Sequence, residues 1–366
     1  MPIRHLYFHV PFCAKLCPYC CFYVETGSKN KTRAFLDALL RDVEMAQTKW
    51  RLQPRTIYFG GGTPTALSIE QLEYLLTGLR QRLDLSALQE WTFEANPAST
   101  LPEKARLLRS AGVTRISLGV QSWDDALLET LGRNHRASQA EKTCRGLREA
   151  GFDNLNIDLM FGIPGQTLDQ WRESLARTIA LGPSHVSAYC LTYEEDTEYF
   201  EKLKLGKFVR DDDRDAAYFE AAHEILTGAG FDQYEISNYA RPGFESKHNL
   251  ACWQGLDYLG FGPSAFSTVG LRRWQAVPDT AEYTRRVLGG KSVVHFEETL
   301  PPETRAGEIA AFSVRTREGV SADELAPWPE AVREFEALGF LEARGNRYVL
   351  TPRGKLMADS VAEAFV

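Results

Sequence analysis

The sequence contains no apolar run long enough to cross a bilayer, no excess of basic side chains, no low-complexity stretch and no internal repeat beyond a strand–helix unit. Without about 20 consecutive apolar residues, a membrane-spanning helix is not expected. Its 42 Lys and Arg stand against 49 Asp and Glu, a formal charge of -7. Such a surface does not attract polyanions, so nucleic acid is excluded as a partner and anionic lipid as a nonspecific one. The start, MPIRHLYFHVPFC, meets charge and proline too early for a secretory signal, and the cytoplasm is the expected location. A second cysteine pair is also missing. Of seven cysteines, four crowd together at Cys13, Cys17, Cys20 and Cys21, while Cys144, Cys190 and Cys252 stand alone. An odd, clustered set points to metal or redox chemistry rather than a disulfide framework. The isolated three read as small buried side chains.

What the chain does have is apolar material for a large core. Of 366 residues 44% are hydrophobic, which fits one big domain with smaller appendages. Six short runs, LYFHV (6–10), TIYFG (56–60), WTFEAN (91–96), RISLGV (115–120), NLNIDLMF (154–161) and HVSAYCLT (185–192), have the length and pattern of strands. Between them the helical period predicts helices at about 31–50, 68–83, 101–111, 137–150 and 167–181. This alternation predicts an α/β fold with a parallel sheet, open or barrel-like, over residues 1–200, with chemistry at the C-terminal strand ends. Beyond it the rhythm breaks. A charged helix at about 211–229, then FDQYEISNYA and the Gly-rich GLDYLGFGPSAFSTVG (255–270), predict an α+β extension over 201–295. From 296 to 366 a helix–helix–hairpin order predicts a small winged-helix-like domain. It has no concentrated basic face, so a structural cap is expected rather than a DNA reader.

Cys13-x3-Cys17-x2-Cys20 directly follows the first predicted strand, so three thiolates converge at that strand's C-terminal end. Three close thiolates suit an iron–sulfur cluster, and three ligands on a cubane leave one iron open to a further ligand. Zinc is the competing reading, with Cys21 or His9 completing a tetrahedron, but no second Cys or His unit of the usual spacing exists downstream.

The other strand ends carry polar groups. Gly60-Gly61-Gly62-Thr63-Pro64 closes the second strand, and consecutive glycines let a ligand approach free backbone groups. Glu94 and Asn96 end the third, Gln121 the fourth, and Asp158 lies in the fifth; Arg133 is expected on the helix after strand four. Singly, each has a structural alternative: a turn, a helix cap, a loop hydrogen bond, a paired barrel carboxylate, a surface arginine. Their shared address is what points to a ligand.

Taken together, HVPFCAKLCPYC, TIYFGGGTPT, EANP, SLGVQS, LGRNH and NIDLMFGIPGQ resemble one family of radical S-adenosylmethionine (SAM) proteins, over nearly the whole chain. It is the family of oxygen-independent coproporphyrinogen III oxidase and the HemW-type heme chaperones. The resemblance implies a partial (β/α)6 radical SAM barrel, a [4Fe-4S] cluster on Cys13, Cys17 and Cys20, and SAM contacted by Tyr7, Gly61, Glu94, Gln121, Arg133 and Asp158, with Gly62 and Thr63 in the same glycine loop. It also implies heme or porphyrin as the second ligand. The oxidases resemble Cys-x3-Cys-x2-Cys-x-Cys and carry an N-terminal extension; here position 22 is Phe22 and twelve residues precede Cys13. The chaperone branch is therefore the nearer resemblance.

His248-Asn249-Leu250-Ala251-Cys252-Trp253 is similar to the chaperones' HNxxYW signature, with Cys252 at the tyrosine position. That makes His248 and Cys252 the candidate heme-handling residues, against a core role for both. Two further departures are Cys21 in place of aspartate and Phe266 in place of histidine. The first expectation is a chaperone delivering heme to a membrane respiratory complex, reaching the membrane transiently, with a flavodoxin-like electron donor. Coproporphyrinogen oxidation comes second and radical SAM methyl transfer third.

Overall fold

The computed structural model describes residues 2–366. Six parallel strands, β1 (Ile3–Val10), β2 (Leu52–Gly61), β3 (Glu90–Ala95), β4 (Arg115–Gln121), β5 (Asn154–Phe161) and β6 (His185–Cys190), lie side by side in chain order. All six fall on the runs expected from sequence. The helices α1 (Lys29–Gln47), α2 (Ile69–Arg82) and α3 (Pro102–Ala111) follow the first three strands. A short α4 (Asp125–Thr130), then α5 (Ala137–Glu149) and α6 (Leu168–Ala180), complete the alternation. Only α4 was not expected, because six residues carry too little period to register; Asp124 caps it by accepting from the Ala126 and Leu127 amides.

Register comes from an aromatic ladder. Phe261, Phe8, Phe59 and Phe93 sit at matched positions of adjacent parallel strands, with ring centroids 5.0, 4.6 and 4.4 Å apart in turn. Such stacking adds about 0.5–1.5 kcal/mol per pair to the burial of each ring. The side-chain period of a strand is two, so fixing these phenylalanines against the helices turns Tyr58, Glu94, Gly119, Asp158 and Tyr189 to the opposite face.

The division at residue 201 is corrected by the sheet itself. After α7 (Glu198–Lys204) and α8 (Asp212–Gly228), β7 (Asp232–Gln233) and β8 (Asn238–Ala240) pair antiparallel beyond β6. Then α9 (Lys247–Trp253) leads to β9 (Tyr258–Phe261), which pairs parallel with β1, and β10 (Phe266–Val269), β11 (Arg272–Ala276) and, after α10 (Thr280–Leu288), β12 (Val294–Thr299) extend that edge. The result is one 12-stranded sheet, and its apolar core runs from Ile3 to Val287 without a break at 201. The expected boundary at 296 falls inside β12. A separate apolar cluster begins at Ala310, in α11 (Pro302–Ser313). There β13 (Val320–Ser321), α12 (Pro329–Ala337), β14 (Leu341–Arg344) and β15 (Arg347–Leu350) form a sheet of order β13-β15-β14, a winged-helix arrangement, closed by α13 (Pro352–Leu356) and α14 (Ala358–Glu363).

Candidate functional site

The C-terminal ends of β1–β6 open on one cavity of about 570 Å³. Cys13, Cys17 and Cys20 line it together with Gly61, Gly62, Thr63, Glu94, Gln121, Arg133 and Asp158. Tyr7 alone of the expected SAM residues is off this wall. Its hydroxyl shares a hydrogen bond with His9 Nδ1 at 3.1 Å, and its ring lies behind Tyr58.

The cysteine loop is held at both ends. Cys13 N–H donates to the Glu25 carbonyl and Glu25 N–H to the Pro11 carbonyl, closing the loop base, while Cys20 N–H turns back on the Cys17 carbonyl at 3.1 Å. Tyr199 N–H donates to the Pro18 carbonyl, and Tyr19 packs against the Tyr199 ring. All seven cysteines are free thiols. Burial pushes Cys20 up to about 11 and raises Cys13, which the Thr63 hydroxyl pulls partly back. Ligation must therefore displace protons. Cys144 is buried in the core as expected.

The glycine loop is shaped by its neighbours. A Cβ on Gly60 would come within 2.9 Å of the Glu94 carboxyl, and one on Gly62 within 2.7 Å of the Pro11 and Val10 backbone. Gly61 has φ +97° and faces the His9 ring. Glu94 accepts from the Tyr58 hydroxyl at 2.8 Å and from the Gly61 amide. Burial nevertheless raises it to about 7, and the nearby Asp158 adds to that rise. Asp158 is raised by burial too, opposed by hydrogen bonds from Ser117, Asn156 and Ser187. Gln121 has φ +69°, a left-handed conformation for a non-glycine residue, and its Oε1 accepts from Tyr189 at 2.6 Å. That strained strand end swings the amide into the cavity. Arg133 lies on the turn after α4 rather than on a helix; its Nη2 donates to the Gly119 carbonyl at 2.8 Å and its Nη1 points to Cys17 Sγ at 3.7 Å. Its Nε is buried without a partner.

A second cavity, of about 560 Å³, shares Asn238, Asn249 and Trp253 with the first. Tyr258, Phe266 and Phe312 make its apolar walls, and Cys252 and the arginines Arg273 and Arg305 line it. Both arginines pair with Glu308. Helix α9 explains the HNxxCW pattern: Asn249, Cys252 and Trp253 lie three and four residues apart and share the cavity face, while His248 and Ala251 point into the core. His248 is therefore not on either cavity wall. Thr56 Oγ1 bridges His248 Nδ1 and His5 Nδ1, each at 2.9 Å, and burial drives His248 down to about 3. Its neutral ring ties α9 to β1 and β2.

Tyr58, Ser117, Asn156, Ser187 and Tyr189 line the first cavity and were not singled out from sequence. Counting by twos from Gln121 and Asp158 would have reached Ser117 and Asn156. Arg315, from the C-terminal unit, had no such signal. It lines the first cavity and stands 5.3 Å from the Trp253 ring centroid, so that unit is part of the site as well as a cap.

Residues 7–177 match the family model of the Radical SAM superfamily. The heme chaperone HemW of Lactococcus lactis subsp. lactis is 32% identical over 98% of this chain and 96% of its own length. This chain belongs to the HemW family of radical SAM proteins. The heme chaperone HemW of Mycobacterium tuberculosis (strain ATCC 25618 / H37Rv) is 36% identical over 99% of this chain and 94% of that protein. The solved structure of the radical SAM enzyme coproporphyrinogen III oxidase (HemN) from Escherichia coli superposes with a TM-score of 0.85, at 22% identity, over all of this chain and 90% of that one. At that identity it establishes the α/β fold alone.

Radical SAM proteins use a [4Fe-4S] cluster and SAM. The donor set here fits both. Cys13, Cys17 and Cys20 line the same cavity wall, and they are the thiols the cysteine spacing brings together. Three thiols spread around a shared space suit a multi-iron cluster. The orphaned Arg133 Nε and the glycine-lined floor provide a donor and close backbone for a zwitterionic ligand. No helix among the described residues is long and apolar enough to cross a membrane.

Proposed function

We propose that this protein binds heme and hands it to an acceptor haemoprotein, using a cluster on Cys13, Cys17 and Cys20 with SAM beside it. The observation that carries the reading is continuity: the thiol-lined polar cavity runs past Asn238, Asn249 and Trp253 into a largely apolar one that can take a flat macrocycle. When bound, the cluster and SAM supply one-electron chemistry at that junction.

Gly61, Gly62 and Thr63 offer SAM their backbone, Arg133 faces its carboxylate, and Glu94, Gln121 and Asp158 offer acceptors to its amino and hydroxyl groups. Tyr7 supports Tyr58 from behind. For heme, Cys252 would be the ligand residue, because it lines the apolar cavity. His248 acts instead by anchoring α9, which sets the angle of Cys252 and Trp253. A flavodoxin-like protein supplies the electron, and the acceptor is a membrane respiratory complex, visited transiently by a cytoplasmic protein.

The test is anoxic incubation of reconstituted, reduced protein with SAM and either heme or coproporphyrinogen III. Stoichiometric heme retention without porphyrinogen turnover is expected, and transfer to an apo-haemoprotein should follow. Formation of protoporphyrinogen would overturn the chaperone reading in favour of the oxidase.

A further inference from the structure

Cys13 is shared between two cavities. Besides the one described above, it lines an outer cavity of about 960 Å³ between the start of α1 and the start of α2. The cationic side chains on that outer cavity are Lys29, Arg33 and Lys104, against the single lining carboxylate of Glu70, which accepts from the Ser68 hydroxyl at 2.7 Å. Lys29 is exposed, and the Arg33 guanidinium is 59% exposed, lying 3.8 Å over the Tyr74 ring while touching Asp37 at 3.3 Å. Lys104 is 8% exposed and donates to the Thr65 carbonyl at 2.7 Å. In a chain of net charge -7, this is a local excess of positive charge placed over one of the three cysteines.

We propose that this outer cavity is the docking surface for an acidic one-electron carrier protein, and that its electron enters through the Cys13 side of the cluster. The inference rests on the proposed cluster. One electron leaves the carrier's reduced flavin and enters the oxidised cluster, which gains one negative charge; no bond is made or broken. Entry here leaves the inner cavity free for SAM, since Cys13 lines a separate outer cavity as well. Steering by surface charge raises the encounter rate and makes it fall with salt.

The test compares reconstituted wild-type protein with Lys29→Glu and with Lys29→Glu/Arg33→Glu. Bleaching of the cluster absorbance is followed by stopped flow, with a bacterial flavodoxin hydroquinone as one reductant and photoreduced deazariboflavin, which has no net charge to steer, as the other. At low salt the double variant should be reduced by flavodoxin at least about tenfold more slowly, with a flatter salt dependence. The single variant should fall between, and deazariboflavin should bleach all three equally. Flavodoxin should also bind cluster-free wild-type protein more tightly than the cluster-free double variant. Equal flavodoxin rates and equal binding across the three proteins would overturn the proposal. If no protein shows a cluster chromophore, the cluster reading fails instead, and the binding arm still decides whether the surface docks an acidic protein.

Discussion

Replacing Glu94 by Gln isolates the electrostatic cost of the cavity at the strand ends. The carboxyl has an ordinary value of 4.5 and is raised to about 7 in the folded protein, chiefly by burial. A raised carboxylate binds its proton more tightly when folded, so its contribution to stability is intact below pH 4.5 and is lost as pH rises from there through about 7. Integrating between those two values, the loss is about 1.4 kcal/mol at pH 5.5 and about 3.4 kcal/mol at pH 8, where it levels off. The ligand-free wild type should therefore lose about 2 kcal/mol between pH 5.5 and 8 from this group alone. Gln keeps an oxygen for the Tyr58 hydroxyl and the Gly61 amide but cannot ionise, so any packing cost of the substitution is the same at every pH. Removing the charge also relieves Asp158, which acts in the same direction. Urea unfolding of ligand-free wild type and Glu94→Gln at half-unit steps from pH 5.5 to 8 measures the difference. The variant should gain on the wild type by about 2 kcal/mol across that range. Parallel curves would show that Glu94 is not held in a desolvated, raised state. The same variant should bind SAM less tightly at pH 8, because the cationic ligand loses an ionised partner.

Cys17→Ala should abolish the brown absorbance of the reconstituted cluster, and a surviving four-iron spectrum would contradict the assignment. Gly61→Ala combines a left-handed backbone with a clash against the His9 ring and should cost about 2–4 kcal/mol in chemical denaturation; a loss below 1 kcal/mol would show that β1 and the loop can part. His248→Ala removes one of the two rings that Thr56 Oγ1 bridges and leaves a cavity under α9, so it should destabilise by about 2–4 kcal/mol while leaving the spectrum of bound heme unchanged. Cys252→Ser should instead change that spectrum with little loss of stability, and the reverse pattern would exchange the two roles.

Much of this protein was legible from local pattern. The six strands of the β/α core announce themselves because strand periodicity and flanking glycines are short-range properties, and the cysteine spacing with the strand-end motifs pointed to residues that line one cavity for the same reason. The sequence also determined which polar groups sit at strand ends, since an alternating β/α chain sends every C-terminal strand end to one side. What it could not determine depends on contacts between distant segments. The strands after residue 201 belong to the same sheet as β1 and β6, a matter of pairings such as His5 with Tyr258 and His185 with Ala240 that no local period records. The fate of the HNxxCW histidine was decided likewise: a seven-residue helix has two faces, and only the packing of α9 against Thr56 and His5 showed that His248 faces the core while Cys252 faces the cavity. Tertiary structure alone joined the two cavities, brought Arg315 of the C-terminal unit to the wall, and placed Cys13 on both the inner and the outer cavity. Chain pattern fixes what a residue is and which way its element runs; which surface it meets is settled by how that element packs against the rest.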